Sequence, residues 1–309
     1  MKEVIVAEGL LKKFGKVVAL NDVSLKISSG NCVGLLGPNG AGKSTFIKIL
    51  CGLLRPNSGR AYVNGFDPFY SRKEALEGVG CLVEEPSLYG PLDPVTYLRY
   101  LGEVRGMGGP ELEMRIREVL ELTDLMKWSK TKLGRFSRGM RQKMVFAQAI
   151  LHDPPVLIFD EPGLGLDPRA VFKIRDYINR ARRAGKTIFL SSHMLLEVQE
   201  TCNKVALISK GHLLKIGDAR VLEKMFTPRV LEVEVLKSPS PKQIKKIKNI
   251  GAVESLSLDK GALKIGFKGG KNERARLLES LINNVGLKVV SYKTPTLPLE
   301  DVYLQLVGE

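Results

Sequence analysis

Cysteine is scarce in this chain, four residues in 309, and histidine scarcer still at three. Cys32, Cys51, Cys81 and Cys202 form no Cys-x-x-Cys pair and share no metal-ligand spacing with the histidines. That excludes a zinc module and a disulfide-stapled scaffold, and points to free thiols in a reducing compartment. No run approaches the roughly 18 to 20 consecutive apolar residues that a membrane-spanning helix needs. The opening MKEVIVAEGL also lacks the long apolar stretch of a secretory signal, so a soluble, cytosolic protein is expected. Acidic residues are in the minority, 33 against 48 Lys and Arg, for a net charge of +15. That sign suits a polyanion or an anionic surface, but the excess is spread over both halves of the chain, with no basic tail, and nucleic acid is not expected as a partner. What is present is an ordinary globular composition, 44% hydrophobic, over a length that fits one large domain and a smaller one.

The most informative stretch is Gly37–Thr45, GPNGAGKST, which fits the pattern GxxxxGK[ST]. An apolar strand-like run, Cys32–Leu36, precedes it and helix-like TFIKILCGLL follows. A triphosphate carries several negative charges, and is best held by the N–H groups of a glycine-rich turn, the positive end of a helix and one ammonium. A nucleoside triphosphate is therefore the expected ligand. Gly37, Pro38, Asn39, Gly40, Ala41 and Gly42 form the loop, Lys43 supplies the ammonium, Ser44 offers its hydroxyl to Mg²⁺, and Thr45 closes the motif.

Along the chain, residues 1 to about 27 alternate like strands, and Ser28–Asn31 turns into the strand that feeds the phosphate loop. From about residue 85 to 151 the periodicity becomes helical, which predicts an insert dividing the core. VLIF (Val156–Phe159) and TIFLSS (Thr187–Ser192) read as buried strands separated by a helix, the alternation of a mostly parallel sheet, and VALISKGHLLKIGDA reads as a closing hairpin. The pattern changes near Thr227-Pro228. Beyond it the order is strand 230–236, helix 241–249, strands 252–258 and 262–268, helix 272–284 and strand 287–293, with LPLEDVYLQLV read as a last, capping helix. This βαββαβ order predicts a small α+β ferredoxin-like domain over 228–309, read as a docking or regulatory accessory.

Asp160-Glu161 ends an apolar strand, where parallel sheets gather ligands, and after a phosphate loop it reads as a metal carboxylate, Asp160, beside a general base, Glu161. Between the two motifs, Ser137 and Gly139 stand at the start of a predicted helix, a second N-terminus free to meet an anion. His152 and His212 have no such context and read as structural.

In this order the motifs resemble the ATP-binding cassette family, the ATPase subunits of ABC transporters, over residues 1 to about 220. GPNGAGKST resembles its Walker A, FSRGM (Phe136–Met140) its signature, VLIFDEP (Val156–Pro162) its Walker B, GLGLD (Gly163–Asp167) its D-loop and SSH, ending at His193, its switch histidine. The resemblance implies an α/β P-loop NTPase cassette over 1–227, with a mixed-sheet core, a β-rich N-terminal subdomain and the helical insert. It implies ATP and Mg²⁺ as cofactors and cassettes paired head to tail. Each ATP is then held by one protomer's Walker A and its partner's signature, Ser137 and Gly139, with D-loop Asp167 also among the nucleotide-binding residues and His193 contacting the γ-phosphate. Phe14 resembles the aromatic on which adenine stacks, a core phenylalanine being the alternative. Gly80–Pro86 resembles the Q-loop, with Glu84 at the metal-sensing position where most members carry Gln. That Q-loop, the FSxGMxQ form of the signature and PTLPLEDVYLQLV (residues 295–307) are similar to an export-type branch of antibiotic and polyketide efflux ATPases. The resemblance thus implies an ATPase peripheral on the cytoplasmic face of the membrane, driving a separate transmembrane subunit. The rival is a soluble ATPase of the same family acting on ribosomes or nucleic acid.

Overall fold

Alternating side chains at the start of the chain pair as two long antiparallel strands, β1 (Glu3–Phe14) and β2 (Val17–Ser28), in the computed structural model. It describes residues 2–83, 87–218, 230–259 and 262–294. The inward residues of β1 and β2, Ile5, Ala7, Leu10, Leu20, Val23, Leu25 and Ile27, are buried. A third strand, β4 (Ser58–Val63), joins the free edge of β1, giving the order β2-β1-β4.

Between β2 and β4 the chain forms β3 (Cys32–Leu36) and the helix α1 (Lys43–Leu50). Strand β3 belongs to a second, six-stranded sheet of order β5-β6-β7-β3-β8-β9. Its other members are β5 (Val79–Leu82), β6 (Val156–Asp160), β7 (Thr187–Ser192), β8 (Lys204–Ser209) and β9 (His212–Asp218). All pairings are parallel except the closing β8–β9 hairpin. Strands β3 and β7 are buried along their whole length, as expected when helices cover both faces of a parallel sheet.

Helix α1 belongs to the core shared with the antiparallel sheet: Phe46, Ile47 and Leu50 are fully buried with Leu10, Leu20, Val33 and Ile158. The Phe46 ring meets Phe189 of β7 edge-on, with centroids 5.7 Å apart. Elsewhere α5 (Arg138–Ile150) and α6 (Pro168–Arg183) are packed through Phe146, whose ring lies 5.4 Å from that of Phe159 and 5.5 Å from that of Tyr177. The short helices α2 (Arg72–Leu76) and α7 (Leu195–Thr201) complete the layers.

The helical insert consists of α3 (Pro94–Val104), α4 (Gly109–Leu122), two single 3-10 turns at Met126–Trp128 and Leu133–Arg135, and α5. Asp93 caps α3 by accepting from the Thr96 N–H at 3.0 Å, and Pro94 sits in the first turn where a missing N–H costs nothing. Arg115 of α4 donates to the carbonyls of Ile150 and Leu151 at 2.9 and 3.1 Å, satisfying the open end of α5.

The chain divides into two compact units, Met1–Leu222 and Glu223–Glu309. In the second, an antiparallel sheet runs β11-β12-β10-β13, built from β10 (Val230–Val235), β11 (Val253–Asp259), β12 (Ala262–Phe267) and β13 (Val289–Lys293). Helix α8 (Pro241–Lys248) follows β10 and α9 (Lys271–Asn283) follows β12. Leu231, Val233, Ile247, Leu263, Ile265, Leu277 and Leu281 form a core of their own. Among the described residues no helix is long and apolar enough to cross a membrane.

Candidate nucleotide-binding site

Strands β3, β6 and β7 run in the same direction, so their carboxyl ends meet at one edge of the sheet: Leu36 lies opposite Ser192, and Asp160 opposite Ser191. Ligands of open parallel sheets gather at such edges. Here the phosphate loop leaves β3, and the loop is tied down on both sides. Gly37 N–H donates to Ser192 O at 3.4 Å, and Gly211 N–H from the β8–β9 turn donates to Ala41 O at 3.1 Å. Gly42 caps α1 at φ +106°, and a Cβ there would fall 2.4 Å from Ala19 O, so only glycine fits the turn. As a glycine, Gly42 offers α1 no side-chain cap, and the first turn of the helix has no acidic residue. The helical ladder starts with Phe46 N–H donating to Gly42 O, which leaves the N–H groups of Lys43, Ser44 and Thr45 ahead of it, where an anion fits.

The Lys43 ammonium is buried, 6% exposed, and donates to Gly37 O at 2.8 Å and Pro38 O at 3.1 Å. It also lies 3.2 Å from Glu161 Oε1. Glu161 turns the chain at the end of β6 in the left-handed region, φ +46°, which is uncommon for a residue with a Cβ. Its Oε2 lies 2.8 Å from His193 Nδ1, so one carboxylate joins the phosphate-loop ammonium to the histidine that follows β7. Beside it Asp160 Oδ1 accepts from Ser191 Oγ at 2.5 Å, and Glu161 N–H donates to that same hydroxyl at 3.0 Å. Ser44, next in line to Lys43, is exposed at the helix start. Lys43, Asp160, Glu161 and His193 are thus assembled by sheet and loop geometry from three separated stretches of chain. A phosphate chain fits the turn and ammonium, and the Ser44 hydroxyl and Asp160 carboxylate are the kind of oxygen donors that a hard cation takes.

Ser137 and Gly139 form a second cluster. Ser137 caps α5, accepting from Met140 N–H at 3.3 Å, and a Cβ on Gly139 would meet Gly165 O at 3.5 Å and Leu166 at 3.9 Å. Asp167 caps α6, accepting from Ala170 N–H at 2.9 Å, and pairs with Lys143 of α5 at 3.1 Å. The Ala170 N–H and then Lys143 hold its carboxyl below the usual carboxylate range. The α5 helix and the Gly163–Asp167 turn are therefore tied together through Lys143 and Asp167, and the turn follows directly on Glu161, whose carbonyl accepts from Leu164 N–H at 3.0 Å. Beside it lies a cleft of about 500 Å³ whose walls include Trp128, Met140, Lys143 and Asp167.

Phe14 is 49% exposed at the tip of the β1–β2 hairpin, with the Lys12 ammonium 5.2 Å from its ring centroid, so it is not a core residue. Glu84 lies outside the described residues, as does the 295–307 segment. His152 and His212 stand apart: His152 faces Arg105 and His212 faces Asn21. Sequence reasoning missed Ser191. Its position inside a buried strand gave no sign that its hydroxyl faces Asp160, which only the register of β6 against β7 fixes.

Comparison with known proteins places this arrangement. The family described as ABC transporter matches residues 20–163, and a family described as AAA domain, putative AbiEii toxin, Type IV TA system, matches residues 129–198. The linearmycin resistance ATP-binding protein LnrL of Bacillus subtilis (strain 168) is 29% identical over 306 residues, 98% of this chain and 97% of that protein. A solved structure of an ATP-binding subunit of an ABC transporter superposes with a TM-score of 0.66 at 30% identity, over 72% of this chain and 93% of that one. The ABC transporter ATP-binding protein NatA of the same Bacillus strain is 38% identical over 211 residues, 68% of this chain and 85% of NatA. With this degree of identity over most of a relative's length, and the P-loop cassette fold to match, the chain belongs to the ABC transporter family, among its ATP-binding subunits.

Proposed function

We propose that the chain hydrolyses ATP for an exporter: two copies close around two MgATP and drive a separate membrane subunit. The observation that carries this reading is the division of the site into two clusters on one chain. Lys43, Asp160, Glu161 and His193 form one, and Ser137 and Gly139, beside the Gly163–Asp167 turn, form the other. A head-to-tail pair brings the first cluster of one copy against the second of its partner, so neither copy alone owns a complete site.

In this reading the loop N–H groups and Lys43 hold the phosphates, the ammonium exchanging the Gly37 and Pro38 carbonyls for phosphate oxygens. Ser44 and Asp160 hold Mg²⁺, which when bound offsets charge on the outer phosphates. Released from Lys43, the Glu161 carboxylate accepts a proton from the attacking water, while His193 keeps it aimed and meets the γ-phosphate. Adenine stacks on exposed Phe14. Glu84 stands at the metal-sensing position of the Q-loop. The partner's Ser137 side, with Asp167, closes the chamber.

Whole-length similarity to LnrL, whose name records resistance to linearmycin, supports export as the direction. The membrane subunit docks on the helical insert and the stretch leading to it, where Tyr89 and Tyr100 are exposed. The ATPase then sits on the cytoplasmic face of the membrane. Residues 228–309 serve as an accessory domain of the cassette at 1–227. Relatives named for transport do not favour the ribosome or nucleic-acid reading.

Complementation tests the shared site. Lys43→Ala spoils one cluster and Ser137→Arg the other, so each variant alone is expected to be inactive. A mixed pair contains one intact site, built from the Lys43 of one copy and the Ser137 of the other, and ATPase activity is expected to return on mixing. A silent mixture, or full activity of Ser137→Arg alone, contradicts the shared site.

A further inference from the structure

We propose that Ser191 is a positioning residue for both carboxylates of the site, a role that rests on the assignment of Asp160 and Glu161 above. Ser191 is the last residue of β7 to pair with β6, lies opposite Asp160 and is fully buried. Its neighbours along the strand, Ile188, Phe189 and Leu190, are buried apolar side chains. A hydroxyl in such surroundings must find partners within the protein. This one finds two, and both lie in the site: it donates to Asp160 Oδ1 at 2.5 Å and accepts from Glu161 N–H at 3.0 Å.

The two bonds have different effects. The first engages one oxygen of Asp160 and fixes the plane of the carboxylate, which leaves Oδ2 for the cation. The second pins the backbone of Glu161 where it enters the left-handed region at φ +46°. A residue with a Cβ holds that conformation only when its surroundings enforce it. The turn is what directs the Glu161 side chain to Lys43 at 3.2 Å and His193 at 2.8 Å. His193 itself follows Ser191 by two residues, so the strand end that delivers the histidine also aims the carboxylate it binds. Removal of the hydroxyl loosens Asp160 and the Glu161 turn together, while the phosphate loop, which rests on Ser192 O and Gly211 N–H, keeps its ties.

The test uses the full chain with Ser191→Ala, and with Ser191→Thr and Ser191→Val as a pair of nearly equal shape that differ in the hydroxyl. For Ser191→Ala, ATP affinity in EDTA is expected within about threefold of the unmodified chain, while kcat falls by at least about tenfold. Mn²⁺ affinity of the ATP complex, read by electron paramagnetic resonance, is expected to weaken by at least about threefold. Thr restores kcat and Mn²⁺ binding relative to Val if the hydroxyl is responsible. Equal loss in Thr and Val, or a Ser191→Ala chain with unchanged kcat and Mn²⁺ affinity, overturns the proposal. Glu161→Gln separates the two levels. If it turns over at the unmodified rate, the assignment of Glu161 falls; if it stalls while Ser191→Ala does not, only the role of Ser191 falls.

Discussion

His193 and His152 carry the same side chain into opposite surroundings. His193 is bonded to a carboxylate at the site, whereas His152 is half-buried with the Arg105 guanidinium 3.1 Å from Nε2. Burial first, then Arg105, lowers the His152 pKa from 6.5 to about 4. In the unfolded chain it protonates near its ordinary value, so as pH falls the unfolded state takes up the proton first. The stability His152 supports is complete above about pH 6.5 and is lost progressively between 6.5 and about 4. The urea midpoint is therefore expected to drop from pH 7 to pH 5, and the drop to shrink in His152→Gln. An equal drop in both chains would assign the acid sensitivity elsewhere. At this scale the residues with a motif around them were legible from sequence: Lys43 in its glycine loop, Asp160-Glu161 after an apolar run, His193 after TIFLSS. Ser191 was not, because a hydroxyl in a strand acquires its partners from the register of the neighbouring strand.

At the scale of elements, the approach of α7 to β3 sets where the chain beyond His193 goes. A Cβ on Gly34 would lie 2.4 Å from Val198 Cγ1 and 3.1 Å from Cys202 Sγ, so the helix rests on a gap in the strand. Gly34→Ala is expected to destabilise the fold by about 1 to 3 kcal/mol through overpacking, measured by urea unfolding at neutral pH. No change would mean that α7 moves freely. Long elements with a clear period, β1, β2, α4 and α6, could be read directly. Strands β4 and β5 could not. Ser58–Val63 has three exposed residues before its two buried ones, and Val79–Leu82 is four residues at a sheet edge, too short to show a period. Both exist because a partner strand, β1 or β6, had an edge to cover.

For the whole molecule, the charge of +15 gives the wrong emphasis if read as a nucleic-acid footprint, since the chain belongs to the ABC transporter family through its identity to relatives such as NatA. The cassette could be named from sequence because its motifs fall in one order. The pairing of copies could not be read from a single chain's periodicity, because it concerns surfaces that only meet in the assembly. To carry the pair from 1:99 open to 99:1 closed, nucleotide must prefer the closed state by about 5.5 kcal/mol, a demand that two sandwiched triphosphates with charge-assisted contacts can meet. Hydrolysis removes that preference, so a chain that binds but cannot hydrolyse should remain closed. The direct measurement is sedimentation of Glu161→Gln with saturating MgATP, alone and with its membrane subunit. The account predicts a nucleotide-dependent dimer that dissociates when MgADP replaces MgATP; a species that stays monomeric under both conditions would contradict it.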